Sequence, residues 1–261
     1  MLIHPKSISV ESLNVSSYTI PADLPESDGT IEWDHATIII VETGAAGQRG
    51  IGYTYAANAT ATLIHDLLAS VVTGTDALSP GAAYIAMWRA VRNLGRPGIA
   101  STAISAVDCA LWDLKARLLQ VPLTTLLGQV RTGAAIYGSG GFTSYSDEQL
   151  AKQLSEWAEH DIPAVKMKIG RELNRDPHRV KLARKAIGDY IQLYVDANGA
   201  YDRKQALAAA EKFSEHNVSW FEEPVSSDNL DGLRLIHDRA PAGMESLLAN
   251  TALTSSTFNE C

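Results

Sequence analysis

The chain has 261 residues, 46% of them hydrophobic and 20% charged, enough to bury one large core or two modest ones. A formal net charge of −8 and a pI near 5.3 argue against a phosphate backbone or an anionic membrane surface as the main partner, because both demand a concentrated basic face. No apolar run reaches the roughly 20 residues a bilayer requires, no secretion signal opens the chain, and the two cysteines, Cys109 and Cys261, are too few for a disulfide framework; a cytoplasmic protein is expected.

In chain order, ATIIIVET (36–43) and GIGYTY (50–55) are rich in β-branched and aromatic residues and flank a turn-prone GAAGQR, which predicts paired strands. Helical periodicity follows at 59–72, 82–93 and 99–119. Trp88, Trp112 and Trp157 fall at helical core positions. Pro122 and Gly128 mark a boundary, giving an N-terminal α+β domain over 1–130. Beyond it, strands and helices alternate: strand 134–138, helix 147–160, strand 164–169, helix 176–188, strand 193–197, helix 202–216, strand 219–223 and helix 229–240. Asp147, Asp176 and Asp202 stand where helix caps belong. GSGGF (138–142) reads as a flexible strand-to-helix loop, since it lacks the full phosphate-binding glycine pattern. This alternation implies an α/β class with parallel strands, in an open sheet or a closed barrel; periodicity does not choose between them.

The chemistry-bearing residues lie on three successive strands. Lys166 and Lys168 are two apart in AVKMKI and share one side of their strand. Buried together they would lower each other's pKa, as a lysine base near neutral pH requires; on an edge strand they would simply be solvated. Asp196 ends the next strand and Glu222-Glu223-Pro224 ends the one after. Each acid alone is compatible with a capping or solvated carboxylate. In parallel β/α folds, however, strand carboxyl ends converge on one face, where carboxylate oxygens suit a hard cation such as Mg²⁺.

VKMKIG, VDANGAY and WFEEPV, with 28 residues from Lys168 to Asp196 and 26 from Asp196 to Glu222, resemble the mandelate racemase/muconate lactonizing branch of the enolase superfamily. The segment 100–128 resembles the helix that leads from that family's capping domain into its barrel. The resemblance implies an α+β capping domain followed by a (β/α) TIM-like barrel over 131–245, and Mg²⁺-dependent removal of a proton alpha to a carboxylate, as in racemases, epimerases and acid-sugar dehydratases. It implies Asp196 and Glu222 as metal ligands, Lys168 as acid/base, and Lys166 tuning it and touching the substrate carboxylate. Asn198 would lie beside substrate, with Glu223 behind the ligands. Segments 21–34 and 50–55 resemble loops closing over substrate, with Tyr53 and Tyr55 as substrate contacts or, equally, strand-packing tyrosines. A small carboxylate or sugar acid is the implied partner, with no nucleic acid and no membrane, and full-length relatives are expected to be homo-oligomers.

The likeness stops near Glu245, and 246–261 reads as a non-family tail without the third carboxylate and second catalytic group the family needs. With a permitted choice of third bases, codons 245–261 read from the last base of the first give VAAGEYGSDLVDFQRM, whose AAGEYG resembles the family's fifth-strand motif and places its glutamate at Asn250. The tail is therefore expected to be a frameshift product or a sequencing artefact. The barrel is expected to be incomplete, with an unpaired edge and poor stability. The competing expectations are a non-catalytic truncated remnant and a carboxylate-binding module.

Overall fold

A computed structural model describes residues 7–247, which fall into two compact units. The first comprises the chain up to Pro21 together with His35–Thr132, and the second comprises Ala22–Asp34 and the chain from Gly133 onward. The segment expected as a substrate-closing loop is thus counted with the second unit rather than with the capping domain. Among the described residues no helix is long and apolar enough to cross a membrane. Of the non-family tail expected over 246–261, residues 246 and 247 fall in a strand that begins at Glu245, and the rest lies outside the described residues.

The first unit is α+β. A three-stranded sheet has the order β1 (Ser12–Ser27), β2 (Glu32–Ala45), β3 (Gln48–Tyr55), with β2 and β3 antiparallel; it belongs to this unit except for the end of β1 from Ala22 and the start of β2 up to Asp34. The sequence reading shows no sign of β1 and treats its far end as loop. β1 is polar, carries Pro21 and Pro25, and is largely exposed; an edge strand tolerates proline because half its N–H groups face solvent. The first predicted helix is one continuous stretch, α1 (Asn58–Leu63), a π-helical turn (Ile64–Leu68) and α2 (Ala69–Val72). Then come α3 (Pro80–Ala90), α4 (Ile99–Leu118) and the short α5 (Leu123–Leu126). Ile39, Val41, Ile64, Leu68, Met87 and Leu111 form the centre of its apolar core. Trp88 is not in that core: it is 41% exposed, with the Arg96 guanidinium 3.3 Å from its ring centroid.

The second unit is α/β, a five-stranded all-parallel sheet in the order β4 (Gly138–Gly140), β5 (Ala164–Lys168), β6 (Gln192–Asp196), β7 (Val218–Glu222), β8 (Glu245–Leu247). Crossover helices α6 (Asp147–Glu159), α7 (Asp176–Ile187), α8 (Arg203–Ser214) and α9 (Leu230–Arg239) connect them. Val165, Met167, Leu193, Val195 and Phe221 turn one face of the sheet into a core against Leu150, Leu154, Val180 and Phe213. Burying each large side chain there contributes about 1.5–3 kcal/mol.

Two local readings need correction. The predicted strand 134–138 is not one; β4 begins at Gly138 and runs into the glycine segment read as a loop. A Cβ on Gly138 would lie 2.4 Å from the Trp157 ring, so the small residue is what lets α6 lie on β4, an advantage strand propensity does not measure. Of the three aspartates read as caps, only Asp202 is one, in a capping box with Gln205. Ser146 caps α6 with Gln149, leaving Asp147 in its first turn. Asp176 is the buried first residue of α7.

Candidate active site

Strand alternation puts Val165 and Met167 on the helix-covered face of β5 and leaves Lys166 and Lys168 on the other. Register completes the arrangement. Lys168 is level with Asp196, and Asp196 with Glu222, while Lys166 is level with Tyr194, and Tyr194 with Trp220. The last alignment depends on an irregularity. Leu193 pairs with Val218 but Tyr194 pairs with Trp220, so Ser219 is an extra residue in β7. Val218 can therefore enter the helix-side core while Trp220 and Glu222 share the face of Asp196. Without that bulge, Asp196 would stand level with Phe221 and every later β7 side chain would change faces.

The four charged groups are matched pair by pair. Lys166 Nζ donates to Glu222 Oε2 at 2.7 Å and lies 3.4 Å from Asp196 Oδ2. Lys168 Nζ donates to Asp196 Oδ2 at 2.6 Å and to Asn198 Oδ1 at 3.0 Å, and the Asn198 backbone N–H donates to Asp196 Oδ1 at 3.0 Å. Lys166, Asp196 and Glu222 are all buried. The expectation that the lysines depress each other fails for Lys166. Burial pulls its pKa down more strongly than any other single influence, but the Glu222 hydrogen bond and the Asp196 and Glu222 charges together outweigh it, and the net shift is upward. The physical reason is proximity: each ammonium has a carboxylate at hydrogen-bond distance.

The remaining expected site residues are placed differently from one another. Asn198 joins the cluster directly. Glu223 is buried with a positive φ of 39°, and its carbonyl accepts the Gly199 N–H at 2.8 Å. Tyr53 and Tyr55 lie on β3 of the first unit, exposed and edge-to-face with each other at 6.2 Å. Sequence reasoning missed an aromatic row beside Lys166, in which Tyr194 contacts Tyr137 at 5.6 Å and Trp220 at 6.0 Å. The signal was present, since Tyr194 and Trp220 each sit two residues before a candidate carboxylate.

The segment 22–34 reaches this end of the sheet. A Cβ at Gly29 would lie 2.5 Å from the Ala197 carbonyl and 2.7 Å from that of Ile169, so the backbone approaches the ends of β5 and β6 closely. Thr143 Oγ1 donates to the Asp28 carbonyl at 2.8 Å, and Arg171 is ion-paired with Glu32.

Asp196 and Glu222 both lie within 3.4 Å of one ammonium nitrogen, so their oxygens face a common position of positive charge. Hard oxygen donors directed at one point fit two ligands of a divalent cation such as Mg²⁺. Among the described residues there is no cluster of three or more His, Cys, Asp or Glu that would hold a metal by itself.

The chain is similar to known proteins over both of its units. The family model described as the mandelate racemase/muconate lactonizing enzyme N-terminal domain matches residues 10–128, and the enolase C-terminal domain-like model matches 149–248. The crystal structure of a mandelate racemase/muconate lactonizing enzyme-like protein from Rubrobacter xylanophilus is 51% identical, with a TM-score of 0.93 over 94% of this chain and 69% of that one. L-talarate/galactarate dehydratase from Salmonella typhimurium LT2, crystallised with Mg and L-lyxarohydroxamate, is 29% identical with a TM-score of 0.82, covering 90% of this chain and 64% of that one. The 3,6-anhydro-alpha-L-galactonate cycloisomerase of Streptomyces coelicolor is 33% identical over 232 residues, 85% of this chain and 64% of the relative, so the chain spans somewhat under two thirds of that curated relative's length. With both family domains matched, and the lysine pair and strand-end carboxylates aligned on successive parallel strands, the chain belongs to the enolase superfamily, in its mandelate racemase/muconate lactonizing enzyme branch.

Proposed function

We propose that this chain carries the proton-transfer half of a site that acts on a small carboxylate or sugar acid, removing or returning the proton alpha to the carboxylate. The observation that supports it most is the single register row Lys168, Asp196, Glu222, with Lys166 on the same face. A proton next to a carboxylate is weakly acidic, so a base is effective only where the negative charge it creates is stabilised as it forms. Lys168, at the open end of β5, is the group that moves the proton. The buried Lys166 faces the substrate's carboxylate and its charge opposes the accumulating negative charge. Asn198 orients Lys168 through the 3.0 Å bond to its ammonium. Glu223 backs the carboxylates. Asp196 and Glu222 would hold Mg²⁺, which supplies Lewis-acid charge to the substrate carboxylate. Related proteins named as acid-sugar dehydratases and cycloisomerases support an acid-sugar substrate.

The test is exchange of the α-proton in D₂O, followed by NMR across a panel of aldonic and aldaric acids with Mg²⁺ present. Wild-type chain exchanges at least one acid, and Lys168→Met lowers the rate by about 10²-fold or more. Absence of exchange across the panel, or exchange that Lys168→Met leaves intact, sinks the reading. Binding of acids without exchange would make the chain a carboxylate-binding module instead.

A further inference from the structure

Three buried polar groups around the first turn of α7 have no part in that chemistry. Asp176, Arg179 and Tyr201 are 1%, 3% and 6% exposed. Asp176 Oδ2 accepts from the Tyr201 hydroxyl at 2.6 Å and from the Gly170 N–H at 3.0 Å. Arg179 donates to the carbonyls of Phe142 at 2.9 Å, Tyr145 at 3.1 Å and Gly141 at 3.2 Å. These partners belong to the loops that follow β4, β5 and β6, so three strand ends are gathered on one helical turn.

The partners are close to the site in sequence and in bonding. Gly170 follows Lys168 by two residues, Tyr201 follows Asn198 by three, and the Gly141 carbonyl that Arg179 holds also accepts the Lys168 backbone N–H at 3.1 Å. Helix capping does not require such groups, since an exposed Ser146 caps α6. A buried carboxylate and guanidinium are costly unless something is gained by holding their partners. Three residues before Tyr201, Asn198 has a φ of 47°, in the left-handed region that asparagine enters more readily than most non-glycine residues.

We propose that Asp176, Arg179 and Tyr201 are a positioning unit that sets where Lys168 and Asn198 stand relative to Asp196, and with them the cation affinity of the Asp196–Glu222 pair. The cation part rests on the proposed function; the placement of Lys168 and Asn198 does not. The full-length chain, ¹⁵N-labelled, is compared as wild type, Tyr201→Phe, Asp176→Ala, Asp176→Asn and Arg184→Lys. Amide spectra are recorded without metal, and Mn²⁺ is then titrated by water-proton relaxation. Tyr201→Phe and Asp176→Ala shift the Lys168 and Asn198 signals and weaken Mn²⁺ binding about tenfold, the size of effect seen when groups supporting metal ligands are removed. Asp176→Asn keeps an acceptor oxygen and restores wild-type signals. Arg184→Lys, on the same helix but bonded to loops at the opposite end of the sheet, lowers the Tm and leaves those signals in place. Unchanged Lys168 and Asn198 signals in Tyr201→Phe overturn the proposal; should that variant not fold, unchanged signals in Asp176→Ala do so, as does an Arg184→Lys spectrum with the same shifts. Wild-type chain that takes up no Mn²⁺ removes the proposed function, while the metal-free spectra still decide the positioning unit.

Discussion

Two buried charged clusters of the parallel-sheet unit, Arg184 where strands begin and the lysine–carboxylate row where they end, are matched in opposite ways. At the end where β6 and β7 begin, Arg184 is buried among neutral acceptors: Nε donates to the His216 carbonyl at 2.9 Å, Nη1 to Gly188 and Ile191 at 2.8 and 2.7 Å, and Nη2 to Asn217 at 3.1 Å. A guanidinium that cannot deprotonate is matched there by carbonyls that cannot move, which makes a fixed joint. At the other end, two ammonium groups meet two carboxylates, so each charge has a mobile side-chain partner of opposite sign. The lesson is that one helix layer and one sheet support both, so burial of a charged group does not by itself mark a site.

Lys166→Met should break this contrast most severely, because it leaves Asp196 and Glu222 buried without the ammonium they share. Urea unfolding in the presence of a chelator should show a loss of about 3–5 kcal/mol, with Mg²⁺ restoring part of it; a variant as stable as wild type would mean the carboxylates are not coupled through Lys166. Arg184→Met should cost less, about 2–3 kcal/mol for the stranded carbonyls, and Mg²⁺ should stabilise it by the same increment as wild type. A changed Mg²⁺ increment would show that the two ends are not independent.

The smallest effect separates two aspartates that look alike in sequence. Asp147 accepts hydrogen bonds from His178 and Arg175, which hold its pKa below the usual 3.8; its stabilising contribution is present above that value and is lost as pH falls through the folded pKa. Burial pushes Asp176 above 3.8 despite its bonds to Tyr201 and Gly170, so its contribution has the opposite sign: full below 3.8 and lost as pH rises through the folded pKa. Urea midpoints from about pH 3 to pH 7 should accordingly lose their acid-side drop in Asp147→Asn, by under about 1 kcal/mol because the pair is partly exposed. Asp176→Asn should lose the decline on the rising side. Identical pH profiles for both variants would contradict the assignment.

Much of the site was legible because strand geometry is nearly context-free. Two lysines two residues apart must share a face, and strand-end acids in successive β/α units must converge, so Lys166, Lys168, Asp196 and Glu222 were readable from VKMKIG, VDANGAY and WFEEPV alone. The bulge at Ser219 was less visible, although the placement of Val218 and Phe221, three apart where alternation would put them two apart, carries its trace. Asp176 was misread because a helix-initial aspartate looks the same whether solvent or Tyr201 meets it.

By itself, then, the sequence determined which strands bear charge, on which face, and in which family this belongs, since those depend on local period and short motifs. Tertiary structure alone decided that Ser219 is the residue that levels Glu222 with Asp196, that GSG is a strand beneath Trp157, and that the lysines are held by carboxylates rather than repelling one another. Those outcomes depend on register, on helix-to-strand distance and on which charge lies nearest. All three are set by pairs of residues far apart in the chain.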